Sequence, residues 1–463
     1  MNPWQQLTLM NLPLQQWSKA SYLQSWIGAL QTWRRSSWLM QRSEAIGGIL
    51  LILVFALAPF VSTALIGVLL IACAGYWLLL TVSDDQRIGF TPIHLVVLLY
   101  WAISMVATAL SPVKTAALIG CARLTLYMLM FALAARVLRS SRLRSILILV
   151  YLLVAVLVSV VGLRQWFFGA DALATWVDAK STLAGTTRVY SFLGNPNLLA
   201  AYLLPAVTFS GAAIFAWKRM AAKAMALLLT LTNAACLVLT FSRGGWIGLM
   251  VMSFVGIVLL VHWVSVYLPH FWRRFALPIV LGVSAAVVVL AVATVEPLRD
   301  RVASIFVGRE DSSNNYRINV WSGVVKMIGD RPIIGIGPGN SAFNKIYPRY
   351  QRTGYSALSA YSVFLEVLVE TGVIGLTCFL WLLVVTLNQG WVQLQRLRAA
   401  QNAAGFWLMA AIATMFGMLA HGLVDTVWYR PQVSTLWWLM VALVASFYQP
   451  PKEAIVDRFI AES

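Results

Sequence analysis

The sequence predicts an all-α polytopic membrane protein of about twelve transmembrane helices, with both termini cytoplasmic and one large external loop carrying short helices. Three observations lead there. Sixty per cent of the residues are hydrophobic and 11% are charged, against roughly a quarter charged in a soluble domain, so a water-soluble fold could not bury this much apolar surface. The apolar residues fall into runs long enough to cross a bilayer. Lysine and arginine gather in alternate connections, the mark of cytoplasmic loops.

Residues 1–44 read as a cytoplasmic interfacial segment. Over 12–42, Trp26, Leu30 and Trp33 share one helical face and Lys19, Arg34, Arg35 and Arg42 lie among them, which predicts a helix lying on the inner membrane surface. No cleavable leader is read in this Gln- and Trp-rich start, so the first span is expected to direct insertion. The transmembrane domain covers 45–448. Its spans are 45–60, 62–82, 92–110, 116–137, 145–168, 197–217, 224–241, 244–264, 276–294, 359–387, 405–424 and 433–448. Residues 449–463 form a cytoplasmic tail.

With the N-terminus inside, the inner segments hold 18 Lys or Arg. The short outer loops hold five: Lys114, Lys180, Arg188, Arg243 and Arg430. The net charge of +18 is then explained by retention beside anionic lipid, and nucleic acid is not an expected partner because no binding module is present. Two outer segments are long, 169–196 and 295–358. Structureless loops beyond about 15 residues are uncommon in folded proteins. The second contains Trp321, Ile333, Ile334, Phe343 and Tyr347, which predicts a packed, functional loop. Within it, Arg317 to Ile328 reads as a short amphipathic helix stopped by Pro332.

Several chemistries are excluded. Cys73, Cys121, Cys236 and Cys378 sit in apolar stretches without metal-ligand spacing and read as core residues. His94, His262 and His270 lack ligand partners at helical spacing, so no metal and no other cofactor is expected. There is no phosphate-binding loop of the Walker type.

Four constellations remain. Arg243 lies in a very short connection, where an arginine needs an anionic partner, and Gly244 and Gly245 leave backbone open beside it. The glycine-rich string Gly335 to Asn340 could cradle an anion or simply turn the chain. Glu366 and Glu370 share one face of the tenth span and call for a partner such as Arg123 or an outer arginine. His421 and Asp425 are also four apart, as in a carboxylate–imidazole pair that either serves catalysis or pins a helix end with Arg430.

Three strings give the chain a recognisable character. They are Thr240-Phe-Ser-Arg-Gly-Gly-Trp246, Arg317-Ile-Asn-Val-Trp321 followed by Pro332 and Gly335 to Asn340, and the run from Tyr361 through Glu370 to Gly372 and Gly375. With them the chain resembles the O-antigen ligase and polymerase superfamily of bacterial envelope proteins, over about 45–447. Within it, Gly194-Asn-Pro-Asn197 to Tyr202, Phe306 to Asn315, Ala357 to Tyr361, and His421 to Asp425 followed by Tyr429-Arg-Pro431 are most similar to the cyanobacterial IctB group, described as bicarbonate transporters. The resemblance implies that Arg243 and Arg317 hold a lipid pyrophosphate. It places Tyr361 where the ligases carry the histidine that activates the acceptor hydroxyl. Arg123, Glu366, Glu370 and Trp321 stand behind these as supporting residues.

Two functions follow from the resemblance. One is transport or accumulation of inorganic carbon, with bicarbonate as a small planar anion on an arginine fork. The other is glycosyl transfer of the GT-C type from a polyprenyl-pyrophosphate-linked glycan at the external face. A tyrosine ionises near pH 10 and is a poor base. The second function is therefore either weakened at Tyr361, carried by His421 or Asp425, or reduced to binding without turnover. The expected partners are membrane lipid and one of these anions. The expected location is the plasma (inner) membrane, with the thylakoid membrane as the other setting.

Overall fold

The computed structural model describes residues 2–10, 12, 30–84, 90–170, 187–306 and 308–450, and these are mostly helical, with no strand among them. A helix covers each of the twelve apolar runs: α1 (Ser43–Leu57), α2 (Thr63–Val82), α3 (Pro92–Ala109), α4 (Lys114–Val137), α5 (Ser141–Phe168), α6 (Pro196–Ala216), α7 (Met220–Leu239), α8 (Arg243–Val264), α9 (His270–Thr294), and, after the loop helices α10 (Glu296–Phe306), α11 (Ser312–Asp330) and α12 (Asn340–Ile346), α13 (Val363–Ala399), α14 (Ala404–Gly422) and α15 (Pro431–Ser446). Ten of these, among the described residues, are long and apolar enough to cross a membrane. The first and last, α1 and α15, are apolar but shorter, at 15 and 16 residues.

Local sequence sets the helix starts. Ser62, Ser140 and Asn195 accept hydrogen bonds from the first-turn amides of α2, α5 and α6, satisfying donors that a helix leaves open. Proline occupies the first turn of α3, α6 and α15, where its missing N–H costs nothing.

Burial divides the bundle. In α14 and α15 nearly every side chain is buried, and α14 packs against α8 and α6 while α15 packs against α4. Helix α9 buries none of its residues. The sequence reflects this: α14 is the least apolar of the ten spans and α9 is among the most. A helix surrounded by lipid must be apolar all round, whereas an inner helix gains from small and polar residues that pack and bond. Gly417 of α14 meets Gly248 of α8 with no room for a side chain. Thr414 and Thr208 bond at 2.6 Å, and Ser159 donates to Asn233 at 2.8 Å between α5 and α7.

At one end of the bundle Asp84 takes both Arg136 at 3.0 Å and Arg34 at 3.5 Å, Tyr76 donates to the Ser43 carbonyl, and Arg144 lies over the Phe447 ring. The start of α1 and the end of α15 are thus at the same end, and the loop 295–358 is at the other. The interfacial helix expected over 12–42 is, in its described part, two short helices, Gln31–Ser36 and Trp38–Gln41, interrupted at Ser37. Trp26, Lys180 and the tail 451–463 lie outside the described residues.

The loop has a core of its own, with Val320, Val324, Met327, Phe343 and Tyr347 packed against Ala116 and Ala117 of α4. Phe343 and Tyr347 stack at 5.0 Å. Ile333, expected inside, is exposed; its backbone carbonyl is what the fold uses. Helix α13 breaks at Gly372, whose φ of +66° is open to glycine but strained for other residues. Around the break the loop supplies the missing partners. Val373 N–H donates to Pro332 O at 2.8 Å, and the freed carbonyls of Val369 and Glu370 accept from Ile336 and Gly337 at 3.0 and 2.9 Å.

Candidate functional site

The connection Thr240 to Ser242 is the seed of the site. Phe241 has a φ of +50°, so the chain reverses tightly, and Ser242 caps α8 by accepting from Gly245 N–H. The reversal turns two carbonyls outward from the helix end. Thr240 O accepts from Arg188 Nε and Phe241 O accepts from Arg301 Nε, each at 3.0 Å. Arg243 follows at once. A loop of α7–α8, a strand-like approach at 187–190 and the loop helix α10 thereby deliver three arginines to one place.

The fourth comes from α11. Arg317 donates through Nε to Val424 O at 2.8 Å and through Nη1 to Ser313 Oγ at 2.6 Å, while its Nη2 is 3.7 Å from Asp425 Oδ2. Asn197, at the start of α6, ties the two halves together. Its amide donates to Asp425 Oδ2 at 2.7 Å and its oxygen accepts from Arg188 Nη2 at 3.3 Å. Arg243 pairs with Asp311 at 2.8 Å, and the same Asp311 oxygen caps α11 by accepting from Asn314 N–H at 2.8 Å.

Among the described residues, four arginines and two aspartates thus meet in a largely buried space. Arg243 is 7% exposed and Arg301 5%. Burial first, and then the charges of Arg317 and Arg243, pull the Arg188 guanidinium below its usual range. Burial first, then Arg243 and Arg188, do the same to Arg301. Guanidinium groups keep their protons at ordinary pH, so this strain is relieved by an anion rather than by deprotonation. A ligand with several anionic oxygens suits four converging guanidinium groups, whose planar forks match phosphate geometry.

Tyr361 lies beside this cluster, with a φ of +49° that turns it off the start of α13. Its ring meets Tyr316 edge-on at 5.9 Å and sits 5.9 Å from the Arg317 guanidinium. Burial, with Tyr316 and Asp425 adding to it, pushes the hydroxyl further up from its ordinary value. Near neutral pH it is therefore held in the protonated form even more firmly than a free tyrosine, and is not available to take a proton.

The other expected constellations are rearranged. His421 and Asp425 do not pair: α14 ends at Gly422, so helical spacing no longer places them on one face, and Asp425 turns to Asn197 and Arg317 instead of Arg430. His421 is 1% exposed, and neither ring nitrogen has a hydrogen-bond partner. Gly244 and Gly245 are not open backbone; a Cβ on Gly244 would lie 2.6 Å from the His421 ring, and one on Gly245 2.5 Å from Ala200. Their smallness serves the packing of α8 on α14 and α6. The string Gly335 to Asn340 does not cradle an anion, because the N–H groups of Gly335, Ile336, Gly337 and Gly339 already donate to Arg331, Val369, Glu370 and the Glu370 carboxylate. Glu366 and Glu370 accept from Ala360 and Gly339 N–H, and no salt bridge joins them to Arg123 among the described residues. The Trp321 indole N–H has no hydrogen-bond partner there. Arg309 and Arg352 bond to Asn315 and Asn319 within the loop, and Arg331 donates to Leu110 O at the end of α3.

Sequence reading missed Arg188, Arg301, Asp311 and Asn197. Only Asp311 carried a local signal, as an N-cap residue just before a helix. The described residues contain no group of three or more potential metal ligands, and the four cysteines are free and buried.

Residues 225–380 match the family model described as O-antigen ligase. The matched stretch runs from α7 through Arg243 and Arg317 to the first half of α13. No curated protein matches the chain.

Proposed function

We propose, from the O-antigen ligase match over 225–380 and the convergence of four arginines in one cluster, that the chain binds a polyprenyl-pyrophosphate-linked glycan at the external face of the plasma membrane and transfers the glycan to an acceptor hydroxyl. The observation that carries this reading is the convergence of Arg188, Arg243, Arg301 and Arg317 from four separate segments on one largely buried place. Pyrophosphate offers several anionic oxygens to such a group of guanidinium forks. The arginines would hold the leaving group and stabilise the charge that develops on it as the glycosidic bond breaks.

The acceptor proton needs a base. Tyr361 is raised away from that role, and His421 is sealed among helices. Asp425 is the carboxylate at hand. In the unliganded site it is held by Asn197 and approached by Arg317. Pyrophosphate taking over the Arg317 guanidinium would free Asp425 to accept a hydrogen bond from the acceptor hydroxyl. Binding and activation are then one event.

The test is binding and transfer by the full-length protein with Arg243→Ala and Arg317→Ala. Each change is expected to weaken polyprenyl-pyrophosphate binding at least tenfold, the loss of one charge-assisted contact pair. Unchanged binding in both would end the proposal. Labelled bicarbonate uptake by vesicles holding the protein, above that of empty vesicles and lost with the same substitutions, would instead assign the cluster to that smaller anion.

A further inference from the structure

Away from the four arginines, α4, α13 and α15 line a second cavity of about 140 Å³ whose wall includes Arg123, Glu366 and Glu370. Arg123 stands on α4 nine residues after Lys114, roughly 13 Å along the helix from its start. Its guanidinium is exposed to the cavity and bonds, among the described residues, to Asn340 Oδ1 at 3.3 Å. Glu366 and Glu370 line the same space. Each commits one oxygen to a backbone N–H, from Ala360 at 2.5 Å and Gly339 at 2.6 Å.

Ionisable groups at this depth ordinarily pair with one another or face a ligand pathway. Here an arginine and two glutamates share one cavity without forming a salt bridge among the described residues. A fourth polar group joins them: Thr426 is 2% exposed, its Oγ1 has no hydrogen-bond partner among the described residues, and it lines the cavity. The remaining wall is aromatic. Trp428 and Trp437 lie 4.2 Å apart, with Tyr127, Tyr429 and Trp438 beside them. Carboxylates and indole faces together suit an organic ammonium. Arg123 suits a phosphate.

A larger groove of about 530 Å³ shares Arg123, Tyr127, Asn340 and Tyr429 with this cavity. It runs along Gly67, Leu70 and Leu126, and Arg430 stands in its wall. It therefore offers apolar surface to a chain on the bilayer side and positive charge where a headgroup would lie.

We infer that this cavity and groove form a binding site for an amino-phospholipid, whose ammonium lies among Glu366, Glu370, Thr426 and the tryptophans and whose phosphate lies on Arg123. The site does not depend on the pyrophosphate reading. The charges that fail to pair with one another are paired through a zwitterion.

The experiment is lipid retention by the purified, delipidated full-length protein, measured by native mass spectrometry after adding phosphatidylethanolamine or phosphatidylglycerol. Phosphatidylethanolamine should be retained roughly tenfold better, as expected for charge-assisted contacts to the amine. Glu366→Gln with Glu370→Gln should remove that preference while leaving phosphatidylglycerol retention unchanged, and Arg123→Ala should lower both lipids. The unfolding temperature without added lipid shows that these variants are folded. Free ethanolamine competing away the lipid would place the recognition in the amine alone and overturn the zwitterion. Equal retention of the two lipids, or a preference that survives the double glutamine change, would also overturn it. Arg243→Ala should leave the preference intact; its loss there would mean that the cavity belongs to the pyrophosphate site.

Discussion

Asp311→Asn separates a binding role for Arg243 from a structural one. Arg243 Nη2 and Asp311 Oδ1 are 2.8 Å apart, and both side chains are at most 10% exposed. At an effective dielectric constant near 20 the attraction is about 6 kcal/mol, most of which desolvation offsets. A pyrophosphate that takes Arg243 must break this pair. Asparagine keeps an oxygen for the Asn314 N–H and is as good a helix cap as aspartate, so α11 should still start correctly. What changes is the charge. Arg243 loses its competing anion, and an incoming anion gains about 1.5–3 kcal/mol, or roughly ten- to a hundredfold in affinity. The unliganded protein should become less stable by about 2–4 kcal/mol, because a buried guanidinium loses this carboxylate. Calorimetric titration with inorganic pyrophosphate, beside unfolding temperatures with and without it, reads both effects. Affinity that is unchanged or weaker in Asp311→Asn would refute the exchange of carboxylate for phosphate. Arg243 would then be a strut for α11.

Other consequences are open to measurement. Gly339→Ala places a Cβ 2.6 Å from Gly120 Cα at a φ of +96° and should cost about 2–4 kcal/mol, seen as a lower unfolding temperature, whereas Gly282→Ala, with nothing within 4 Å, should be neutral or slightly stabilising. Tyr361→Phe should leave any transferase rate within about threefold, since general-base loss would cost a hundredfold or more. Tyr361→His should raise that rate, with a pH profile rising through the range near 6.5 where an imidazole loses its proton; a flat profile would count against an open base position. Asp425→Asn should reduce transfer by at least about a hundredfold while pyrophosphate binding is retained or improved, and loss of binding instead would make Asp425 part of the anion site's frame.

Much of the helical plan was legible because lipid imposes a simple rule: a helix that meets acyl chains must be apolar, and the run is visible in the sequence. The apolar run at 276–294 is the plainest example, and α9 buries nothing of itself in the bundle. Arg243 and Arg317 were legible as a pair of positions by resemblance, and the structure places both in the same cluster. Spacing misled where a helix ends or breaks. His421 and Asp425 are four apart in number, but α14 stops between them. Glu366 and Glu370 did keep their common helix, and their hydrogen bonds nevertheless go to backbone amides that the loop brings from more than thirty positions away in one case.

The sequence by itself determined the solvent of this protein and its helical class, because composition and periodicity are local quantities. Tertiary structure decided which charges meet. Arg188, Arg243, Arg301 and Arg317 come from four separate segments, and no short-range pattern marks them as one group. The carbonyls of Thr240 and Phe241 and the bridge through Asn197 assemble them. Bringing like charges together is unfavourable locally. Only the packed bundle around them holds the cluster in place, and that energy is spread over the whole fold.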